Sequence, residues 1–225
     1  MKEKQRLSER ITQPSRRHYL IRAAGLAGIC GPVMLGSCII VLSFAQYEFM
    51  RNLGWHPLRA PTLDWPSGLA LGPYGKALSA AFVLCGLLLS VFAVGLAAEL
   101  RTVSTTRRLP NTGLALLVVS GLALALLAFD TDPTLGEAHP TWHGRLHDGA
   151  FLVLGLTLLP ALTVLGLWMA RDSRRHSRWR THGFYTLSTA LLATICFLLR
   201  GVAFYLFLIA VLCWFVATAR RLRNA

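Results

Sequence analysis

The distribution of charge constrains this chain more than any other feature of its sequence. Six long windows between residues 23 and 219 contain no Asp, Glu, Lys or Arg. A helix needs about 20 apolar residues to cross the hydrocarbon core of a bilayer, because each residue advances it by about 1.5 Å. We therefore predict an all-α polytopic membrane protein. Its six-transmembrane-helix bundle has predicted spans near 23–47, 77–98, 109–129, 149–170, 183–199 and 201–219.

The last two predicted spans lie in a single apolar stretch, 183–219, which is interrupted only by Arg200 and Gly201. One helix over this stretch would be about 55 Å long, which exceeds the thickness of a bilayer. An arginine is better placed among the headgroups than in the hydrocarbon. The sequence therefore predicts two short helices with a tight turn at Arg200 and Gly201.

The charged residues are divided unequally between the two sides of such a bundle. With six spans, 18 of the 23 Lys and Arg residues and 4 of the 10 Asp and Glu residues fall on the side of the termini. The net charge is then +14 on that side and −1 on the other, in agreement with the total of +13. Basic residues mark the cytoplasmic side, so we predict a cell (plasma or inner) membrane protein with both termini cytoplasmic. Its parts are a basic segment at 1–22, the six-helix domain at 23–219 and a basic tail at 220–225.

The composition excludes several other classes of protein. The chain is 54% hydrophobic and 15% charged, whereas soluble domains are about 25% charged, so a soluble enzyme and a disordered chain are both excluded. The sequence pI near 10.6 does not indicate nucleic-acid binding, because the basic residues lie in short segments beside the spans. The lipid bilayer is the expected partner, and nucleic acid is not. No charged residue lies deep in a span, which disfavours a proton-coupled transporter.

The first predicted outer loop, 47–75, is rich in aromatic residues and proline. Aromatic side chains are typical of the headgroup region, where they anchor a protein. A loop of this length is also commonly functional or packed on its own core. Two interpretations stay open: an interfacial anchor, or a loop that lies across the outer mouth of the bundle.

The second outer segment holds the candidate site, at the end of the third span and the start of the fourth. Pro140 favours a helix that begins near Thr141, because proline suits the first helical turn and disfavours helix at the residue before it. His143 and His147 are then four residues apart on one face of that helix. The predicted binding residues are Asp130, Asp132, Thr141, His143 and His147, with His139 in the loop before them.

Three interpretations of this segment stay open. Asp132, His143 and His147 are candidate metal ligands, since imidazole and carboxylate groups hold transition metals. Asp132 and His147 are also candidate catalytic residues for proton transfer. The same groups suit a structural role, because Asp caps helices and complements the dipole at a helix N-terminus. No cofactor is predicted beyond the metal alternative, and haem is disfavoured because every histidine lies at or outside the end of a span.

These residues carry a resemblance to a known family. The stretch 129–133, followed by Thr141, Gly144 and His147 in T-x-x-G-x-x-H spacing, resembles the bacterial membrane family catalogued as domain of unknown function 998. The segment 67–72 and the last two spans are also similar to that family, so the resemblance covers nearly all of 19–223. It implies six helices, a motif of Asp132, Thr141, Gly144 and His147, and no assigned activity.

We expect a six-helix membrane protein of unassigned activity with a small polar Asp/His site on its outer face that binds a lipid or small amphiphile. The alternative is a membrane-embedded, hydrolase-like enzyme that uses Asp132 and His147, with or without a metal ion. Ser67, Thr131 and Thr141 are the plausible additional reactive groups. Because spans joined by a short loop are usually antiparallel neighbours, Asp132 and His147 are predicted to interact directly or through one water.

Overall fold

The computed structural model of the protein describes residues 16–55, 66–103, 108–133, 140–171, 178–199 and 202–224. This part of the chain is all-helical, as predicted, and contains no strand. Its α-helices are α1 (Arg16–Ala45), α2 (Tyr47–Asn52), α3 (Gly75–Val103), α4 (Arg108–Leu126), α5 (Trp142–Ala170), α6 (Arg178–Leu199) and α7 (Val202–Arg223), and a 3₁₀ helix spans Pro66–Leu71.

Five of the helices, namely α1, α3, α5, α6 and α7, are long and apolar enough to cross a membrane. The apolar part of α4 is shorter and covers Asn111–Leu126. Large apolar side chains stand on the outer surface of the bundle, for example Leu156 at 65% exposure and Leu198 at 71%. Exposed large apolar side chains in this number suit lipid and not water. The protein is therefore a multi-pass membrane protein.

The six long helices form a closed ring, in which each packs against the next along the chain and α7 packs against α1. α1 and α7 are antiparallel, since Gly25 near the start of α1 packs against Arg223 near the end of α7, and contacts between the other neighbouring helices show the same arrangement. The start of α1 and the end of α7 thus lie at the same end of the ring, which we call the termini end. The opposite end carries α2, the 3₁₀ helix and the connection between α4 and α5, and we call it the cavity end.

The predicted division of the stretch 183–219 into two helices is confirmed. α6 ends at Leu199, α7 begins at Val202, and the two helices pack against each other. Arg200 and Gly201, where the turn was predicted, lie outside the described residues.

A buried polar cluster that the sequence analysis did not identify joins α6 to α7 near the termini end. The His182 ring nitrogen Nε2 lies 2.8 Å from Thr218 Oγ1, and Trp214 Nε1 donates to Thr186 Oγ1 at 2.9 Å. The Thr218 hydroxyl donates its own proton to the Trp214 carbonyl, so it accepts from His182, whose proton must sit on Nε2. All four side chains are buried, and their hydrogen bonds hold the two apolar helices in one register.

The end of α4 determines the geometry of the site. α4 ends at Leu126, short of the predicted limit at residue 129. The N–H groups of Leu127, Ala128 and Phe129 each donate at 3.2 Å to the carbonyl three residues earlier, which tightens the last turn. The carbonyls of Phe129 and Asp130 then lie beyond the helix and are available as hydrogen-bond acceptors.

Candidate functional site

The start of α5 is organised by two side chains that act in sequence. Thr141 is the N-cap residue, with φ −72° and ψ 165°, and its hydroxyl oxygen accepts from the backbone N–H of Gly144 at 3.1 Å. The carboxylate of Asp132 in turn accepts from the Thr141 N–H at 2.8 Å and from the Thr141 hydroxyl at 2.5 Å. The predicted start of this helix near Thr141 is therefore confirmed. Asp132 ties the end of α4 to the start of α5.

Gly144 is required by this arrangement. A Cβ atom at position 144 would lie 2.7 Å from Asp132 Oδ1 and even closer to Oδ2. Carbon and oxygen atoms do not approach so closely without displacement, so any larger residue would push the carboxylate away from Thr141. The Thr-x-x-Gly part of the motif therefore has a steric explanation.

The two histidines of α5 bond to neighbouring backbone carbonyls just after the end of α4. His143 Nδ1 lies 3.2 Å from the Asp130 carbonyl and 2.9 Å from Thr141 Oγ1, and His147 Nδ1 lies 2.8 Å from the Phe129 carbonyl. A carbonyl only accepts, so in both rings Nδ1 carries a proton. In the neutral ring Nε2 is then the lone-pair nitrogen. The prediction that both histidines share one helix face is confirmed.

The direct form of the predicted pair of Asp132 and His147 is wrong, and the form bridged by one water stays a prediction. Within the described part of the chain, the Asp132 carboxylate bonds to Thr141 and the His147 ring bonds to the Phe129 carbonyl. The tightened end of α4 leaves a backbone acceptor in front of the imidazole, while the helix N-terminus presents donors to the carboxylate. Each group therefore has a nearer partner than the other.

The environment of Asp132 favours its ionised form. The hydrogen bond from the Thr141 hydroxyl is the main reason that the pKa of this carboxyl lies below its ordinary value of 3.8, while partial desolvation opposes the shift. The Thr141 N–H and the nearby His143 and Arg145 lower the pKa further. A carboxylate of this kind is a good hydrogen-bond acceptor and a poor proton donor.

A cavity of about 110 Å³ lies inside the ring at this end. Its walls are mostly apolar and come from α1, α3, α4, α5 and α7, with Leu35, Phe82, Leu127, Phe151 and Phe207 among the lining residues. The polar side chains that line it are Ser67, Thr131, His147 and Asp148. His147 is only 3% exposed, and with Nδ1 bonded to Phe129 its Nε2 is the nitrogen available to a ligand.

The 3₁₀ helix closes part of the mouth of this cavity, since Pro66 and Ser67 line it. The helix is held by Gln46, whose buried amide donates to the Leu69 carbonyl and accepts from the Tyr74 N–H, both at 3.1 Å. Pro66 and Ser67 of the first loop thus reach the cavity, while the interpretation that this loop lies across the outer mouth of the bundle stays a prediction. Residues 56–65 of this loop lie outside the described residues.

The sequence-predicted site residues fall into two groups. Of the five predicted binding residues, only His147 lines the cavity, whereas Asp130, Asp132, Thr141 and His143 form the hydrogen-bonded connection beside it. No three His, Cys, Asp or Glu side chains in the described segments are placed to hold a metal ion, and that includes Asp132, His143 and His147. His139 lies outside the described residues. The sequence analysis missed Asp148 as a cavity residue, because nothing local marks the direction in which a carboxylate points.

Comparison with known proteins agrees with the resemblance noted above. Residues 34–221 match the family described as protein of unknown function (DUF998). No curated protein and no solved structure matches the chain. The matched region includes the cavity and all four residues of the Asp132, Thr141, Gly144 and His147 motif.

Proposed function

The chain belongs to the DUF998 family of proteins of unknown function, and we propose that it binds a lipid or small amphiphile in the cavity at the cavity end of its ring. The observation that carries this proposal is an apolar cavity with four polar side chains, Ser67, Thr131, His147 and Asp148, among its lining residues. Apolar cavities of about this size bind small apolar molecules. The combination of apolar walls and a few placed polar groups is typical of ligand sites.

We further propose that all six long helices cross the plasma membrane, with the cavity end outside and both termini cytoplasmic. α4 supports this because it packs between α3 and α5 within the ring and runs antiparallel to both. The charge difference of the sequence, +14 against −1, supports the orientation. The cavity then faces the outer leaflet and the external medium, where a lipid or an amphiphile can reach it.

The physical source of affinity differs with the origin of the ligand. A molecule from the bilayer leaves surroundings as apolar as the cavity, so burial of its chain contributes little. A small amphiphile that arrives from water gains about 0.8 kcal/mol for each CH₂ group that it buries. In both cases the polar residues of the cavity determine which headgroup is accepted.

Photocrosslinking in lipid nanodiscs tests this proposal. We expect a dodecanol that carries a diazirine next to its hydroxyl to label cavity residues of the wild-type protein, located by peptide mass spectrometry, because a cavity of about 110 Å³ admits the headgroup end of the molecule and not its whole chain. Leu154 lines the cavity, so Leu154→Trp should fill it and abolish this labelling. Leu156 lies two residues further along α5 at 65% exposure and does not line the cavity, so Leu156→Trp is the matched control. Labelling confined to lipid-facing residues in all three proteins would refute the proposal.

A second candidate function is hydrolysis of an ester in the same cavity. The observation that favours it is that Ser67, a potential nucleophile, and His147, whose Nε2 is a potential base, both line the cavity. Asp132, which the sequence-based hypothesis paired with His147, does not line it. An alkyl fluorophosphonate should then label Ser67 in the wild type and lose that label in Ser67→Ala. Absence of labelling at Ser67 would leave binding as the better proposal.

A further inference from the structure

The polar residues of the cavity carry an unbalanced set of groups. Asp148 supplies a carboxylate and His147 supplies a lone-pair nitrogen, while Ser67 and Thr131 supply hydroxyls. No Lys or Arg is among the described residues that line the cavity. Arg145, one turn before Asp148 on α5, is exposed and does not line the cavity. The fixed groups that face a ligand are therefore mainly acceptors, and the formal charge among them is negative.

His147 adds a directional requirement. The Phe129 carbonyl holds the proton of the ring on Nδ1, so the neutral imidazole offers only an acceptor at Nε2. In the described part of the chain Nε2 has no hydrogen-bond partner, although the side chain is only 3% exposed. Nε2 is not among the fully buried unpaired atoms of the described residues, so it is accessible from the cavity, where a ligand that donates a hydrogen bond can pair with it.

Asp148 adds a charge requirement. Within the described segments its carboxylate has neither a hydrogen bond nor an ion pair, and the ion pair found there joins Arg17 to Glu99 at the termini end. A cationic headgroup beside Asp148 forms an attractive pair. An anionic headgroup at the same place is repelled by the carboxylate and finds no compensating cation among the described lining residues.

Resting on the proposed function, we infer that the ligand is an amphiphile with a protonated amine headgroup, one that donates hydrogen bonds and carries positive charge. An alcohol can donate a hydrogen bond to His147 but carries no positive charge to pair with Asp148, so its expected affinity is second. A fatty acid ranks last, because its carboxylate meets both Asp148 and the lone pair of His147. Chain burial is the same for the three, so the headgroup alone sets this order.

Competition among three ligands with the same chain tests the inference. Dodecylamine, dodecanol and dodecanoic acid compete with the diazirine-tagged dodecanol for cavity labelling, in zwitterionic phosphatidylcholine nanodiscs at about pH 8, where the amine is protonated and the acid ionised. We expect the amine to compete on the order of tenfold better than the acid, because the amine is attracted to the exposed Asp148 carboxylate and the acid is repelled by it. Each ligand's own partitioning into lipid cancels when the wild type is compared with a variant.

The informative variant is Asp148→Asn, which should remove the advantage of the amine over the alcohol. Asp148 is exposed and bonds to no side chain that the structure describes, so folding should be unaffected, and thermal unfolding checks this. Asp130→Asn is the matched control, since Asp130 is an exposed aspartate at the same end that does not line the cavity.

The possible results separate the two proposals. Loss of the amine preference in Asp148→Asn, but not in Asp130→Asn, supports the inference. Cavity labelling with equal competition by all three ligands, or with the acid strongest, overturns the inference and leaves the proposed function standing. No cavity labelling in the wild type overturns both.

Discussion

The contact of Gly144 with Asp132 gives the sharpest test of how the connection between α4 and α5 is built. In Gly144→Ala the new methyl group overlaps the Asp132 carboxylate, so this side chain must move away from Thr141. Overpacking of this kind typically costs about 1–3 kcal/mol of the free energy of unfolding. Alanine also favours the helix over glycine by about 1 kcal/mol, which acts in the opposite direction.

Gly149 on the same helix separates these two effects. A Cβ atom there would meet no other atom within 4 Å, so Gly149→Ala keeps the helix-forming gain without the collision. We expect Gly149→Ala to be neutral or to stabilise by up to about 1 kcal/mol. The difference between the two variants then reports the collision alone, about 1–3 kcal/mol.

Reversible unfolding in mixed detergent micelles, followed by tryptophan fluorescence, gives the free energies. A double variant, Gly144→Ala with Asp132→Ala, provides a second readout, because the collision disappears when the carboxylate is absent. The substitution at Gly144 should then cost less than it does in the wild-type background. Equal stability of Gly144→Ala and Gly149→Ala, or an unchanged cost in the double variant, would refute this account of the motif.

Three further predictions concern acid, orientation and the buried cluster. Because the pKa of Asp132 is lowered in the folded protein, the ionised carboxylate should stabilise the fold above the ordinary value of 3.8, and this stabilisation should be lost as the pH falls through the folded-state pKa. Below about pH 5 the midpoint temperature of thermal unfolding should therefore fall more steeply with pH for the wild type than for Asp132→Asn. Reporter fusions at Ala225 should read cytoplasmic and those after Arg59 external, and an external C-terminus would contradict the six-span proposal. Thr218→Val removes the hydroxyl that accepts from the buried histidine of α6, and we expect the free energy of unfolding to fall by about 1 kcal/mol in the same assay. The same substitution at the exposed Thr163, whose hydroxyl donates to the Leu159 carbonyl of its own helix, should have little effect.

The helices of this protein could be predicted from the sequence because their determinants are local. Windows without charge located the six long helices, and Pro140 with Thr141 located the start of α5 to within a residue. The interruption at Arg200 and Gly201 divided the last apolar stretch correctly. The predicted end of α4 was less accurate, because the last turn tightens through hydrogen bonds that the hydropathy of the sequence does not reveal.

The partners of the site residues were decided only by the tertiary structure. The sequence pointed to Asp132 and His147 but paired them with each other, whereas the first bonds to Thr141 and the second to the Phe129 carbonyl. Every residue carries a carbonyl, so a sequence does not reveal which of them a helix end leaves unbonded. The cavity likewise unites Ser67 with Asp148 across 81 positions of chain, through a ring that closes only when α7 packs on α1. Hydropathy acts on each helix separately and fixes its place in the membrane, but the rotation of each helix about its axis depends on all of its neighbours at once.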